Sequence, residues 1–439
     1  MTKAKVRTRN APSPTGIPHI GNTRTALFDY LLAKKYKGSF VLRIEDTDQK
    51  RQVKGAVEAI NDIHEFLGLV PDESSKVGGP YAPYTQTERL GTYKKVVKQL
   101  IDNGDAYEDE GAVRIKMPKE GYTVWKDLVQ GKISIPNEEV DDKVLLKSDG
   151  VPTYHLAAMV DDHFMEITHI MRGVEYIVST PVHLKIYESL GWQPPVFMHV
   201  PLLLGPDKSK LSKRHGAKNV LQFKEEGYLP EAINNFLFYL GFSYKDNSDL
   251  LTMKEMIDIF DENKISKSNA IFDIQKLNYF NSKWIKKLEG EDLLKRLIPF
   301  VKPSYKKDKK KLTQILPLVK DRLTKLNEAN DLIDFFFQFE KPDIDSLLES
   351  SQASPALTLS WFNMVQNDLE ALVEFDPESI HKLLKKTQEL SDLSPRQAFM
   401  SLRLAITAKD VTPPLFDCIS ILGKEESLKR LKDSMTSLK

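Results

Sequence analysis

The chain has 439 residues, of which 41% are hydrophobic and 28% charged, so it is long enough for two or three globular domains with separate cores. A net charge of +1 gives no overall attraction to polyanions, so any nucleic-acid partner needs a local basic face. The single cysteine, Cys418, excludes an intramolecular disulfide and a multi-cysteine zinc site. No apolar stretch approaches the roughly 20 residues of a membrane span, so we expect a cytoplasmic protein without membrane contact.

The first hundred residues alternate between strand and helix patterns. The predicted elements are a strand at 6–9, a helix at 23–36, a strand at 39–44 and a helix at about 55–67. Such alternation favours a parallel sheet, and ligands bind such sheets at the carboxyl ends of the strands. Arg9 and Glu45 are therefore expected at the same sheet edge.

Residues 104–149 change to short strand-like pieces with turns, which indicates an insertion within the sheet domain. The sheet pattern then resumes. The predicted elements are a strand at 166–171, a helix that opens at 179–181 and stops at Gly191, and a strand at 196–204. Beyond residue 222 the pattern is almost entirely helical, with the basic run 306–311 expected as an exposed loop or linker.

Two motifs indicate an ATP site. Residues 12–21 (PSPTGIPHIG) lie between the first strand and helix, where Gly21 allows close backbone approach and His19 is a candidate donor to a phosphate. Residues 210–214 (KLSKR) place two ammonium groups and a hydroxyl on one loop, which suits a polyphosphate whose charge redistributes during reaction. Neither motif is a Walker A loop or a dinucleotide fingerprint.

Three polar groups allow more than one interpretation. Residues 46–48 (DTD) could hold the divalent metal of a sugar-nucleotide transferase, but Glu45 is better suited to meet a substrate ammonium. Residues 161–163 (DDH) are interpreted as turn groups, because three adjacent side chains on a strand or turn point in different directions. Arg172 after a buried strand implies an anionic partner, and an ordinary salt bridge to a neighbouring acid is the alternative.

Five strings give the chain a close resemblance, over nearly its whole length, to a known family. The chain resembles bacterial-type glutamyl-tRNA synthetases, which are class I aminoacyl-tRNA synthetases. The strings are residues 7–21 (RTRNAPSPTGIPHIG), 43–48 (RIEDTD), 149–155 (DGVPTYH), 179–181 (STP) and 210–216 (KLSKRHG).

The resemblance implies an α/β fold. We expect a Rossmann-like parallel-sheet catalytic domain with a short α+β insertion, followed by mostly α-helical domains. The implied boundaries are 1–103 and 150–221 for the two halves of the catalytic domain, 104–149 for the shortened acceptor-binding insertion, 222–291 for a stem-contact domain and 292–439 for an anticodon-binding domain.

The resemblance also implies ATP-dependent activation of L-glutamate, with Mg²⁺ accompanying ATP, and transfer to the 3′ end of tRNA(Glu). The implied catalytic residues are His19, Gly21, Lys210 and Lys213. The implied ATP-binding residues are these four with Glu175, Leu203, Leu211, Ser212 and Arg214. The implied glutamate-binding residues are Arg9, Ala11, Ser13, Glu45, Tyr154, Ala158 and Arg172.

Within that implied set, Glu45 receives the α-ammonium, while Arg9, Tyr154 and Arg172 surround the side-chain carboxylate. An arginine pair that needs a carboxylate would disfavour glutamine, whose amide leaves buried charge unpaired. Arg322 and Arg403 match positions used against anticodon bases.

Several alternatives stay open at this point. The enzyme could also charge tRNA(Gln) with glutamate. A relative that glutamylates an anticodon base, and a catalytically silent RNA-binding protein with the same fold, are further possibilities.

The insertion is shorter than in typical members and has no cysteine, so no protein-bound zinc is expected. We expect a monomer.

Overall fold

The computed structural model describes residues 5–209, 211, 218–244 and 250–438. The chain divides into two units between Asn281 and Ser282.

The first unit combines strands and helices. Its strands are β1 (Arg7–Asn10), β2 (Ser39–Leu42), β3 (Glu73–Ser74), β4 (Ala106–Asp109), β5 (Ala112–Ile115), β6 (Tyr122–Asp127), β7 (Gly131–Pro136), β8 (Val144–Leu146), β9 (His169–Gly173), β10 (Val196–Val200), β11 (Leu203–Leu204) and β12 (Ala270–Ile271). Its helices are α1 (Ile20–Lys35), α2 (Ala56–Leu67), α3 (Leu90–Asp102), α4 (Tyr154–Phe164), α5 (Thr180–Ser189), α6 (Val220–Glu225), α7 (Pro230–Tyr239), α8 (Met253–Ile259) and α9 (Ile274–Lys287), and the division between the units falls within α9.

Parallel strands form the centre of this unit. β2 pairs with β1 on one side and β3 on the other, and β9 pairs with β10, all in parallel. The backbone N–H of Thr168, just before β9, donates to the carbonyl of Arg7 in β1 at 3.0 Å, so the two groups of strands lie side by side. The predicted α/β class with a parallel sheet is confirmed.

The turn between α1 and β2 depends on Gly38. Its N–H donates to the carbonyl of Ala33 at 2.7 Å, and the next residue, Ser39, donates to the carbonyl of Val6 at 3.0 Å. A Cβ on Gly38 would lie 1.9 Å from that Val6 oxygen. Only glycine therefore lets the chain leave the helix so close to the strand that it must join.

The predicted insertion has the short strands that the sequence indicates. β4, β5 and β8 form an antiparallel sheet, and β6 and β7 form a hairpin. Just after β6, the N–H of Leu128 donates to the carbonyl of Phe197 in β10 at 2.9 Å. The hairpin is thereby attached to the edge of the parallel sheet.

The prediction of a turn or strand for residues 161–163 is wrong. These residues lie in α4, and the strand predicted at 166–171 begins later, at His169. Helix α4 is buried on nearly all sides, so it lacks the one-sided apolar pattern by which a surface helix is identified. Glu166, with φ of +54°, lies in the turn between the two elements.

Three further boundaries differ from the sequence prediction. Helix α1 begins at Ile20, because His19 caps it. The strand predicted at 196–204 is interrupted at Pro201, which has no N–H to donate, and its second part, β11, pairs with the unpredicted β12. The basic run 306–311 is not a loop, because Asp308 caps a helix that begins at Lys309.

The described residues of the second unit form helices joined by loops, with no strand among them. Its helices are α10 (Gly290–Leu297), α11 (Lys309–Val319), α12 (Ala329–Ile333), α13 (Ile344–Ser351), α14 (Pro355–Ala371), α15 (Pro377–Glu389), α16 (Pro395–Thr407), α17 (Leu415–Leu422) and α18 (Lys424–Leu438). The buried indole of Trp361 donates to the carbonyl of Ala398 at 2.9 Å and ties α14 to α16.

We predict that Gly38→Ala destabilises the first unit, because the added methyl group meets a backbone oxygen that cannot move aside. Overpacking of this kind costs about 1–3 kcal/mol, which lowers the melting temperature by several degrees. Gly91→Ala is the matched control, since a Cβ in that position in α3 meets nothing within 4 Å. Thermal unfolding of both variants checks the prediction, and equal melting temperatures would contradict it.

Candidate functional site

A cavity of about 680 Å³ opens at the carboxyl ends of the central parallel strands. Its lining includes β1 and the loop after it, the start of α1, the residue Glu45 beyond β2, and the end of β9. This is the edge at which a parallel α/β sheet binds ligands.

Most of the residues singled out from the sequence line this cavity. They are Arg9, Ala11, Ser13, His19, Gly21, Glu45, Tyr154, Arg172, Glu175, Leu203 and Leu211. Ala158 does not line it, because its side chain is fully buried in the hydrophobic core one turn after Tyr154. Lys210, Ser212, Lys213 and Arg214 lie outside the described residues.

Arg172, in β9, is 6% exposed and is held by four side chains. Its Nε donates to Nε2 of His199 at 3.0 Å, and one Nη donates to the Tyr154 hydroxyl at 3.0 Å and to Nδ1 of His183 at 2.9 Å. The other Nη donates to the Thr180 hydroxyl at 2.9 Å. Within the described part of the chain no carboxylate forms a salt bridge with this guanidinium, so the salt bridge weighed as an alternative is not observed there.

The two histidines that hold Arg172 must be neutral. A guanidinium has no acceptor, so each imidazole nitrogen facing it has to offer a lone pair. Burial, reinforced by the charge of Arg172, places the pKa of His183 well below its ordinary value, and burial also lowers the pKa of His199 although Asp127 opposes the shift. His155, whose Nδ1 lies 3.2 Å from Nε2 of His183, has a pKa lowered by burial to about 4.

Arg9 differs from Arg172 because its charge is already neutralised. Its Nε lies 3.1 Å from the carboxylate of Asp162 in α4, which also accepts from Arg43 at 2.7 Å. Burial opposes ionisation of Asp162, but the two guanidiniums outweigh it and lower its pKa. The expected pair of arginines awaiting one carboxylate is therefore not observed, because Arg9 already has an acidic partner. Arg172 has no acidic partner among the described residues. Arg24, which also lines the cavity, has none there either, but its guanidinium donates to the carbonyls of Leu240 and Pro201.

Glu45 offers a carboxylate to the cavity. Its Oε1 accepts from Arg43 at 2.8 Å, and no described residue donates to Oε2. Burial raises the pKa of Glu45, although Arg43 opposes the shift. A cation that enters the cavity would complete the coordination of this side chain and favour its ionised form.

The first turn of α1 forms the other side of the cavity. Nδ1 of His19 accepts from the N–H of Gly21 at 3.0 Å, which fixes the imidazole over the helix N-terminus. A Cβ on Gly21 would lie 2.8 Å from Cε1 of that ring. Gly21 therefore allows the imidazole to lie against the helix start, where backbone N–H groups favour an anion.

The alternative metal site at residues 46–48 has other partners. The Asp46 carboxylate accepts from the N–H and the hydroxyl of Thr87, and Asp48 pairs with Arg51. Over the described ranges no group of three or more His, Cys, Asp or Glu side chains is arranged to hold a metal ion.

Sequence reasoning missed the side chains that position Arg172. The sequence predicts Thr180 only as part of a helix start, and no motif points to His183 or His199. One signal was available for His199, because it is the single polar residue in the apolar strand V-F-M-H-V (196–200). Two buried cavity residues, Arg24 and Asp29, were also missed.

In the second unit, Arg322 and Arg403 are close enough that the charge of Arg322 affects the pKa of Arg403. Burial lowers that pKa, and Arg322 lowers it further. Arg322 is exposed, whereas half-buried Arg403 donates to the Thr412 hydroxyl and to the carbonyl of Pro413.

None of the described helices is both long and apolar enough to cross a membrane.

Comparison with known proteins identifies the family. Residues 5–112 and 108–279 match the catalytic domain of class I tRNA synthetases (E and Q), and residues 292–435 match an anticodon binding domain. The glutamate–tRNA ligase of Dehalococcoides mccartyi is 39% identical to this chain, over 99% of this chain and 98% of its own length. The glutamate–tRNA ligase of Herpetosiphon aurantiacus is 40% identical, over 98% of this chain and 97% of its own length.

A solved structure gives the same result. The glutamate tRNA ligase of Elizabethkingia meningosepticum, determined in complex with its amino acid, superposes with a TM-score of 0.90 at 33% identity, covering 99% of this chain and 100% of that one. The chain therefore belongs to the glutamate–tRNA ligases, the class I aminoacyl-tRNA synthetases that use ATP to join glutamate to tRNA.

Proposed function

We propose that the cavity of the first unit binds L-glutamate with its side-chain carboxylate on Arg172 and its α-ammonium on Glu45. The observation that carries this proposal is the guanidinium of Arg172, which is buried among neutral acceptors and has no acidic partner among the described residues. A buried unpaired charge is costly, and a substrate carboxylate offsets that cost.

This arrangement gives a physical reason for rejecting glutamine. An amide oxygen could accept a hydrogen bond from Arg172, but it would leave the guanidinium charge without a counter-ion. Arg9 would add a donor beside Arg172, while its own charge stays balanced by Asp162. Tyr154, which accepts from Arg172, would orient the guanidinium beside the substrate.

ATP would occupy the part of the cavity beside the start of α1. His19 and Gly21 would contact the nucleotide there, together with Glu175, Leu203 and Leu211, which also line the cavity. By family resemblance, Lys210, Ser212, Lys213 and Arg214 would neutralise the triphosphate. We propose that Mg²⁺ enters with the nucleotide, bound by its phosphate oxygens.

Neither chemical step needs a nucleophile from the protein. An α-carboxylate oxygen of glutamate attacks the α-phosphorus, an oxygen–phosphorus bond forms, and the bond to pyrophosphate breaks. A ribose hydroxyl at the 3′ end of tRNA then attacks the acyl carbon, and AMP leaves with the bonding electrons. Positioning and charge stabilisation by the cavity would therefore account for the catalysis.

The tRNA would be held by three further parts of the chain. We propose residues 104–149 for the acceptor end, 222–291 for the stem, and 292–439 for the anticodon, with Arg322 and Arg403 near its bases. We propose that the protein acts on tRNA(Glu) as a monomer. Charging assays with tRNA(Glu) and tRNA(Gln) side by side decide whether tRNA(Gln) is a second substrate.

We predict that Arg172→Ala raises the KM for glutamate in tRNA charging by about 100-fold or more, because a charge-assisted contact to the substrate is lost. In the same variant the preference for glutamate over glutamine should fall, while the KM for ATP stays near the wild-type value. Lys98→Ala, which removes an exposed cation from α3 away from the cavity and from the proposed tRNA-binding segments, is the control. An unchanged KM for glutamate would refute the proposed role.

We also predict that acid destabilises the first unit through its neutral histidines. Their folded pKa values lie below the unfolded value near 6.5, so the unfolded chain binds more protons and stability falls as the pH drops below 6.5. For His155, with a folded pKa of about 4, the loss between pH 7 and pH 5 is about 2 kcal/mol.

Melting temperatures of wild type and His155→Gln at pH 7 and pH 5 measure this contribution. On acidification from pH 7 to pH 5, the melting temperature of the variant should fall less than that of wild type, by roughly 4 °C. Parallel pH profiles for the two proteins would show that His155 is not held neutral.

A further inference from the structure

Asp127 and His199 form a chain of hydrogen bonds that ends on Arg172. His199 is fully buried, and its Nδ1 lies 2.5 Å from Oδ2 of Asp127, while its Nε2 accepts from Nε of Arg172 at 3.0 Å. Since Arg172 can only donate, Nε2 carries the lone pair and the ring proton is on Nδ1, where it is donated to Asp127. The carboxylate therefore selects the imidazole tautomer that can hold the arginine.

Asp127 is itself fixed by the backbone. Its Oδ1 accepts from the N–H groups of Val129 at 3.0 Å, Gln130 at 2.8 Å and His199 at 3.2 Å. These donors determine which carboxylate oxygen faces the imidazole. Asp127 is the last residue of β6, so the chain of hydrogen bonds connects the insertion hairpin to the site.

We propose that Asp127 is a positioning residue for glutamate recognition, which acts through His199 to orient the guanidinium of Arg172. The proposal rests on the proposed function, in which Arg172 binds the substrate carboxylate. It assigns a role in amino-acid recognition to the insertion hairpin.

The test is Asp127→Asn in tRNA charging. The three backbone donors require the amide oxygen of Asn at the Oδ1 position, so its NH₂ group faces Nδ1 of His199. The imidazole then has to carry its proton on Nε2, against a guanidinium N–H, and the contact is lost. We expect the KM for glutamate to rise about tenfold or more, with an unchanged KM for ATP and a melting temperature near that of wild type.

Asp102→Asn is the matched control, because it removes one negative charge from an exposed position at the end of α3, outside the cavity and outside the proposed tRNA-binding segments. A KM for glutamate within twofold of wild type in Asp127→Asn would overturn the proposal. A parallel rise in both KM values with a lower melting temperature would also overturn it, since that pattern indicates a structural role only.

A second pair of variants tests the link through His199. In His199→Gln the side-chain amide reaches the position of Nε2 and can still accept from Arg172, whereas in His199→Asn it reaches only the position of Nδ1 and bonds to Asp127. We expect His199→Asn to raise the KM for glutamate as much as Asp127→Asn does, and His199→Gln to raise it several-fold less. Equal effects of the two variants would contradict the proposed link.

Failure of this inference can be separated from failure of the proposed function. If Arg172→Ala raises the KM for glutamate and Asp127→Asn does not, the positioning role is refuted and the binding role of Arg172 stands. If Arg172→Ala has no effect, both are refuted.

Discussion

A buried guanidinium without an acidic partner is the constraint on which the site depends. Arg172 brings a permanent charge into the cavity, and within the described residues it donates to hydroxyl, imidazole and backbone carbonyl acceptors, all of them neutral. Neutral acceptors orient the group without cancelling its charge, so the attraction for an incoming carboxylate is kept. Buried, neutral imidazoles are suited to this role, since their lowered pKa values keep them unprotonated.

Four other buried ionisable side chains of the site are joined by ion pairs, whereas Arg24 and Asp29 have none among the described residues. Asp162 accepts from both Arg9 and Arg43, and Arg43 also donates to Glu45. The cavity thus presents the guanidinium of Arg172, which has no acidic partner among the described residues, and the carboxylate of Glu45, whose second oxygen has no donor among them. In our proposal these two groups distinguish the ends of the amino acid, because a ligand with a carboxylate and an ammonium group satisfies both.

Local motifs in the sequence made much of the fold and of the candidate site predictable. The first strand and helix, the loop between them and the positions of Arg9 and Glu45 follow from short-range patterns and from the rule for parallel sheet edges. The partner of Arg9 could not be inferred, because Asp162 lies 153 residues away on a helix whose burial on nearly all sides hides its periodicity. The contact between Asp127 and His199 spans 72 residues and depends on how the insertion hairpin docks on β10.

The most direct measurement is a crystal structure of this protein with L-glutamate bound. We expect the side-chain carboxylate at about 3 Å from the guanidinium of Arg172, the ammonium on Glu45, and Arg9 still paired with Asp162. A glutamate bound with its side-chain carboxylate away from Arg172, or a new acidic residue paired with Arg172 in that structure, would contradict the account.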